Sequence, residues 1–237
     1  MHTPISDQKE LREFYNDVYS KGDIRDNEKL YKWIVRLCGP QRGKKLLDIA
    51  CGIGLVLKSG HEAGLKTYGL DISDEAIKRA KAISPESELV VGDGENLPWP
   101  EGSFDYVTSL GSLEHYLDPE KGVREIARVM SNDGTAVIML PNSYAYGEII
   151  KALFTGKSSD EWQALERHAT VSQWKEMLEK NGLKVTGIKG YNKYPEFFKP
   201  GTRKVKSLRK FFITCFFRYL TPFNLAQQFV YICRKGQ

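Results

Sequence analysis

From residue 44 to residue 142 short apolar runs alternate with amphipathic stretches, and no other feature narrows the fold so far. Residues 45–50, 67–70, 89–91, 104–110 and 135–140 read as buried strands. Residues 55–63, 74–83 and 119–130 carry apolar residues at helical spacing between them. Strand, helix and strand repeated in this way produce parallel strands joined by right-handed crossovers, so helices cover both faces of one sheet. Two later runs, 185–188 and 229–233, add strands. The expected architecture is α/β, a doubly wound, mostly parallel, seven-stranded sheet. Helices at 7–20 and 26–38 precede it, with Leu11, Phe14, Tyr15, Val18 and Tyr19 on one helical face. Further helices are expected at 143–154 and 171–180, a polar connection at 155–167, and a basic amphipathic helix at 203–220 before the last strand. A chain of 237 residues suits a single domain of this kind: a helical cap over 1–40, the alternating core over 44–142, and C-terminal elements over 143–237.

The four cysteines, Cys38, Cys51, Cys215 and Cys233, are widely spaced and form no CxxC pair, which argues against a disulfide scaffold or a zinc site and for a reducing compartment, the cytoplasm. No metal site is expected, since His and Cys never fall at ligand spacing. The start of the chain lacks the apolar stretch of a signal peptide, and the longest apolar cluster, 211–217, is far short of the roughly 20 residues that span a bilayer. The net charge of +5 is unevenly spread. After Glu196 the chain has nine basic residues and no acid, which leaves the preceding part at −4. Such a tail is either a solvated helix face or a contact for an anionic membrane or acceptor. Nucleic acid is disfavoured, because the body is acidic and no RNA-binding motif is present.

The alternation begins with LLDIACGIG, residues 46–54, which puts a glycine turn directly between a buried strand and a helix. Glycines there permit a sharp turn and close approach of a ligand, although a tight turn alone would also use them. Ligands of open α/β sheets bind beyond the carboxyl ends of the strands. Asp71, in GLDIS, ends the second strand with an acid able to accept hydrogen bonds from a ribose diol. Asp93, in the turn after the third strand, can accept one from an adenine amino group. The third glycine of the dinucleotide turn GxGxxG is replaced by Leu57, which argues against a nicotinamide or flavin, and the Gly-Lys-Ser/Thr of a phosphate loop is missing.

LLDIACGIG, GLDIS, VGDGENLPWPEGSFDYV and SLGSLEHYLDPEKGVREIARVMSNDGTAVIMLPN, in that order, resemble the class I S-adenosylmethionine-dependent methyltransferases. They are most similar to the branch with the ubiquinone and menaquinone biosynthesis enzymes. The likeness runs from about residue 44 to 142, weakens over 167–189 and is absent from the tail. It implies a Rossmann-like methyltransferase fold, S-adenosylmethionine as cofactor and S-adenosylhomocysteine as product. It implies that Asp48, Ala50, Gly52 and Gly54 line the methionine end, that Asp71 holds the ribose with Ile72 against the adenine, and that Asp93 and Gly94 face the adenine edge. Ser109, Leu110 and Gly111 would pass beneath the sulfonium. Tyr15 and Tyr19 are the candidates for an aromatic lid, against simple helix packing. The acceptor is left open: a small molecule, a glycan or a lipid-linked precursor. A non-catalytic module that only binds the cofactor also stays open, as, with less support, does an NAD(P)-dependent oxidoreductase.

Methyl transfer from a sulfonium is an in-line displacement from an activated leaving group, so alignment supplies most of the acceleration and a base is needed only where the acceptor must lose a proton. His115, just past the fourth strand, and His168, ahead of the helix at 171, are the candidate bases, each against a purely structural reading. Tyr116, Tyr144 and Tyr146 are the candidates for the acceptor pocket.

Overall fold

The first strand, β1 (Lys45–Ile49), lies inside a seven-stranded sheet with β2 (Lys66–Asp71), β3 (Glu88–Val91), β4 (Phe104–Leu110), β5 (Met130–Pro141), β6 (Leu183–Tyr191) and β7 (Gln228–Lys235). The structure is a computed structural model and describes residues 7–22, 28–155, 165, 167–192 and 222–236. The strand order is β3-β2-β1-β4-β5-β7-β6. β1 to β5 are parallel throughout. β7 lies antiparallel between β5 and β6, so β6 runs in the same direction as β5. The doubly wound, mostly parallel sheet expected from the alternation is therefore present. β1 and β4 are buried along nearly their whole length, as a strand covered on both faces must be.

Helices α1 (Gln8–Lys21), α2 (Glu28–Leu37), α3 (Leu55–Glu62), α4 (Asp74–Ile83), α5 (Pro119–Val129), α6 (Tyr146–Thr155) and α7 (Val171–Lys180) flank the sheet. Their starts follow from local chemistry. Ser73 caps α4 through the Ala76 N–H, Asp118 caps α5 with Pro119 in its first turn, and Thr170 with Gln173 closes a capping box on α7.

Several boundaries depart from the sequence reading; β6, expected at 185–188, runs from Leu183 to Tyr191. β5 begins at Met130 rather than 135, because Met130 pairs with Phe104 before a bulge restores the register at Thr135 and Tyr106. α6 begins at Tyr146 rather than 143, because Asn142 accepts the Tyr144 N–H with its side chain and the Ala145 N–H with its carbonyl, which uses up those residues in a turn. The amphipathic helix expected at 203–220 lies outside the described residues. The order reverses direction of growth between β1 and β4, and the carboxyl ends of those strands open the crevice where such sheets take ligands.

Candidate active site

The turn that leaves β1 is wound in an unusual hand. Ala50, Gly52 and Gly54 have φ of 55°, 53° and 83°. The left-handed region suits glycine, and Ala50 holds it at a cost. Gly54 also lets α3 approach α4, since a Cβ there would lie 3.2 Å from the Ala80 Cβ. Where a dinucleotide turn has its third glycine, Leu57 is wholly buried, and the room for it comes from Gly69 on β2, whose Cβ would lie 2.6 Å from Leu57 Cδ1. The close helix-to-strand contact is made with the glycine on the strand.

Asp71 at the end of β2 is 3% exposed. One carboxylate oxygen accepts the Gly52 N–H at 2.8 Å and the other the Ser73 N–H at 2.9 Å. These two bonds hold the acid against the glycine turn and compensate its burial. Asp93 lies in the next turn, its oxygens accepting the Glu95 N–H at 2.8 Å and the Asn96 side-chain amide at 2.6 Å. Glu95 is buried beside it and accepts the Leu117 N–H at 2.8 Å and the Gln8 side-chain amide at 3.0 Å through a single oxygen. Burial first, and the nearby Asp93 charge, raise the Glu95 carboxyl above its ordinary value, against the hydrogen bonds from Asp118, Leu117 and Gln8.

These residues enclose a cavity of about 1020 Å³ counted out to its mouth. Ala50, Gly52, Asp71, Ile72, Asp93, Gly94, Leu110 and Gly111 line it, as do Tyr15, Tyr19, His115 and Tyr116. The aromatic side chains around it pack closely. A Cβ on Gly52 would lie 2.7 Å from the Tyr19 hydroxyl, and Tyr15 stands edge-on to His115 with centroids 6.4 Å apart. Tyr116 fits between two glycines, with a Cβ at Gly94 only 2.0 Å from its hydroxyl and one at Gly122 only 2.6 Å from its ring.

Other candidates fall elsewhere. Asp48 lies below the turn, where its carboxylate accepts the Thr108 hydroxyl at 2.6 Å, and Ser109 is hydrogen-bonded to Ser112 at 2.7 Å; neither is among the lining residues, nor is Gly54. His168 is exposed, Tyr144 is 59% exposed and Tyr146 is buried, all away from the cavity lining. Among the lining residues that the sequence reading did not assign to the site are Gln8, Leu11, Tyr31, Cys51, Glu95 and Ser112. Gln8 and Leu11 share a helical face with Tyr15 and Tyr19, at spacings of three and four, so that face was the available signal. Cys51 is buried, and desolvation first, then Asp71 and Asp48, push its thiol well above the ordinary range, so it serves as wall and not as nucleophile.

His115 ends the 3-10 turn Leu113–His115 beyond β4 and is 5% exposed. Its Nδ1 meets the Leu165 carbonyl oxygen. A carbonyl only accepts, so Nδ1 carries the proton and Nε2 is the basic nitrogen. Nε2 is 3.7 Å from a carboxylate oxygen of the buried Glu114, which favours the protonated ring once a proton arrives. The loop is braced from outside by Arg167, whose guanidinium donates to the carbonyls of Glu114, Tyr116 and Leu117.

A parallel sheet with this crevice, a left-handed glycine turn and an acid fastened to it defines a nucleoside-binding domain of the Rossmann-like kind. The methyltransferase-domain family matches residues 47–138. A demethylmenaquinone methyltransferase of Geobacillus stearothermophilus is 31% identical over 178 residues, which cover 65% of this chain and 75% of that protein. Another, from Renibacterium salmoninarum, is 33% identical over 123 residues, 52% of this chain and 51% of the relative. The chain spans about half the length of several curated relatives that it matches. In the fold, the magnesium protoporphyrin IX methyltransferase of Synechocystis PCC 6803 superposes with a TM-score of 0.67 at 15% identity, over 97% of this chain and 100% of that one. The chain belongs to the class I S-adenosylmethionine-dependent methyltransferases, in the branch with the ubiquinone and menaquinone enzymes.

The residues present fit S-adenosylmethionine. The charged residues among those described around the cavity are Asp71, Asp93 and Glu95, with no Lys or Arg. That negative field suits a sulfonium nucleoside and opposes the diphosphate of a dinucleotide.

Proposed function

We propose that this protein transfers a methyl group from S-adenosylmethionine to an oxygen, nitrogen or carbon of a small organic acceptor. When bound, the cofactor supplies an electrophilic methyl carbon on a positively charged sulfur. Asp71 holds the ribose hydroxyls, and Asp93 and Gly94 meet the adenine edge. Ala50 and Gly52 leave room for the methionine end, while Tyr15 and Tyr19 close the cavity from above and exclude water. His115 takes the acceptor's proton at Nε2 and Glu114 steadies the resulting charge. The observation that carries this reading is the presence, in one cavity, of the glycine turn, the fastened Asp71 and a buried histidine of defined tautomer.

Titration calorimetry with S-adenosylhomocysteine tests the cofactor. Binding is expected, and NAD(P) is expected not to bind. Asp71→Asn should lose about 1–3 kcal/mol of that affinity in a folded protein, since the ribose loses a charged partner. Transfer of a labelled methyl group across a panel of hydroxyl, amine and carbon acceptors then tests turnover. Binding without any turnover would favour the cofactor-binding module.

Contact with a lipid surface, and a lipid-linked or glycan-linked acceptor delivered there, rests on the basic tail together with exposed apolar side chains. Leu153 on α6, Tyr144 before it and Phe223 ahead of β7 are 76%, 59% and 47% exposed. Among the described residues no helix is long and apolar enough to cross a membrane. Buried free thiols at Cys38, Cys51 and Cys233 accord with a reducing, cytoplasmic setting.

A further inference from the structure

Gln8 is the first residue of α1, and it lines the cavity beside Glu95. Its amide is fixed by that neighbour. Nε2 donates to the Glu95 carboxylate at 3.0 Å, and the same carboxylate oxygen is anchored by the Leu117 N–H at 2.8 Å. A carboxylate only accepts, so the amide nitrogen must face Glu95 and the orientation of the amide is determined. Its oxygen, Oε1, is buried and has no hydrogen-bond partner. A buried acceptor left in this state is costly, and a ligand donor relieves the cost. The adjacent turn carries Asp93 and Gly94, and both oxygens of Asp93 already accept donors from that turn.

We infer that Gln8 selects the purine: its Oε1 accepts a hydrogen bond from the exocyclic amine of adenine, and this contact distinguishes a 6-amino purine from a 6-oxo purine. The inference rests on the methyltransferase reading of the cavity and adds a residue of the helical cap to cofactor recognition. An amine has two protons, so Asp93 and Gln8 are compatible partners for it. A 6-oxo purine would set a second acceptor against Oε1 and leave both unsatisfied.

The test is a two-by-two set of calorimetric titrations on the full chain: S-adenosylhomocysteine and S-inosylhomocysteine, each with the unaltered protein and with Gln8→Met. Methionine keeps the length and apolar stem and removes the acceptor. The unaltered protein should prefer the adenine ligand, and Gln8→Met should reduce that preference by about tenfold, by weakening the adenine ligand and by no longer opposing the inosine one. Circular dichroism and thermal melting establish that the variant is folded, and Gln8→Ala repeats the comparison should methionine disturb α1. An equal preference in variant and unaltered protein overturns the role of Gln8 and leaves the methyltransferase reading standing. Failure of the unaltered protein to bind S-adenosylhomocysteine overturns both.

Discussion

At Gly52 one missing methyl group meets two demands. The residue has φ of 53°, and its α-hydrogen faces the Tyr19 hydroxyl. Gly52→Ala should therefore cost about 1–2 kcal/mol of backbone strain and also displace Tyr19. Combining it with Tyr19→Phe removes the nearest atom and leaves the ring carbon at 3.5 Å, so the steric part is recovered while the strain stays. Urea denaturation of the two single variants and the double variant would show this as a coupling energy. Additive losses would mean that Tyr19 does not rest on the turn. His115 offers a kinetic counterpart. If Nε2 takes the acceptor's proton, His115→Ala should slow methylation by about 10²–10⁴-fold and change its pH profile. The same rate and pH profile in the variant would leave His115 a structural residue. The sequence made Gly52, Asp71 and His115 legible because glycine, acid and histidine each carry a distinct chemistry at the end of a strand. It could not show that Ala50 is left-handed, since nothing in an alanine forecasts that, nor that Asp48 turns to Thr108, since a strand register decides it.

Among the elements, α1 is the helix whose side chains cover the cavity. Its inner face bears Gln8, Leu11, Tyr15 and Tyr19 over the cavity. Its outer side is fastened to α4 by polar contacts: Arg12 donates to both oxygens of Asp74 at 2.7 and 2.8 Å, and the Asn16 side-chain oxygen accepts from Ser73 at 2.6 Å. At its end Arg79 donates to the carbonyls of Tyr19 and Gly22. The Arg12–Asp74 pair is half-exposed, so salt weakens it. Hydrogen bonds from Arg12 and then Asn16 hold the Asp74 carboxyl below its ordinary 3.8. A lowered carboxyl stabilises the folded state above that ordinary value and loses its effect as pH falls through the lowered one, so the latch is set at neutral pH. Arg12→Ala should speed S-adenosylhomocysteine release several-fold at low ionic strength and remove the salt dependence of that release. Stopped-flow displacement measures it, and an unchanged rate would show that α1 does not gate the cavity. Periodicity revealed the inner face of α1, as it revealed the β/α alternation. Its anchor was hidden because Asp74 is 62 residues away, and long-range pairing of exposed charges has no local signature.

For the whole molecule, Arg234 and Lys235 of the nine basic residues after Glu196 are bonded within the sheet, to the Asp133 and Gly134 carbonyls and to Glu101, and the others need a separate reason. Seven of them fall between residues 199 and 218, interleaved with Phe211, Phe212, Phe216 and Phe217. Arginine and lysine near an anionic bilayer contribute about 1 kcal/mol each, whereas aromatic side chains favour the interface whatever the lipid charge. A solvated helix face would use the charges without binding lipid at all, and the two readings therefore separate by experiment. The full chain should float with vesicles containing phosphatidylserine at about 0.1 M salt and detach as the salt approaches about 1 M, where the Debye length shrinks to about 3 Å. Replacing Arg203, Lys204, Lys206, Arg209 and Lys210 by glutamine should abolish flotation and leave S-adenosylhomocysteine affinity intact. Leu153→Asp and Phe223→Asp together should weaken flotation if the exposed apolar side chains share the contact. Equal recovery with neutral and anionic vesicles would remove the electrostatic argument. No recovery with either would assign the tail to solvent, and an acceptor free in solution would then be the better expectation than one carried on a lipid.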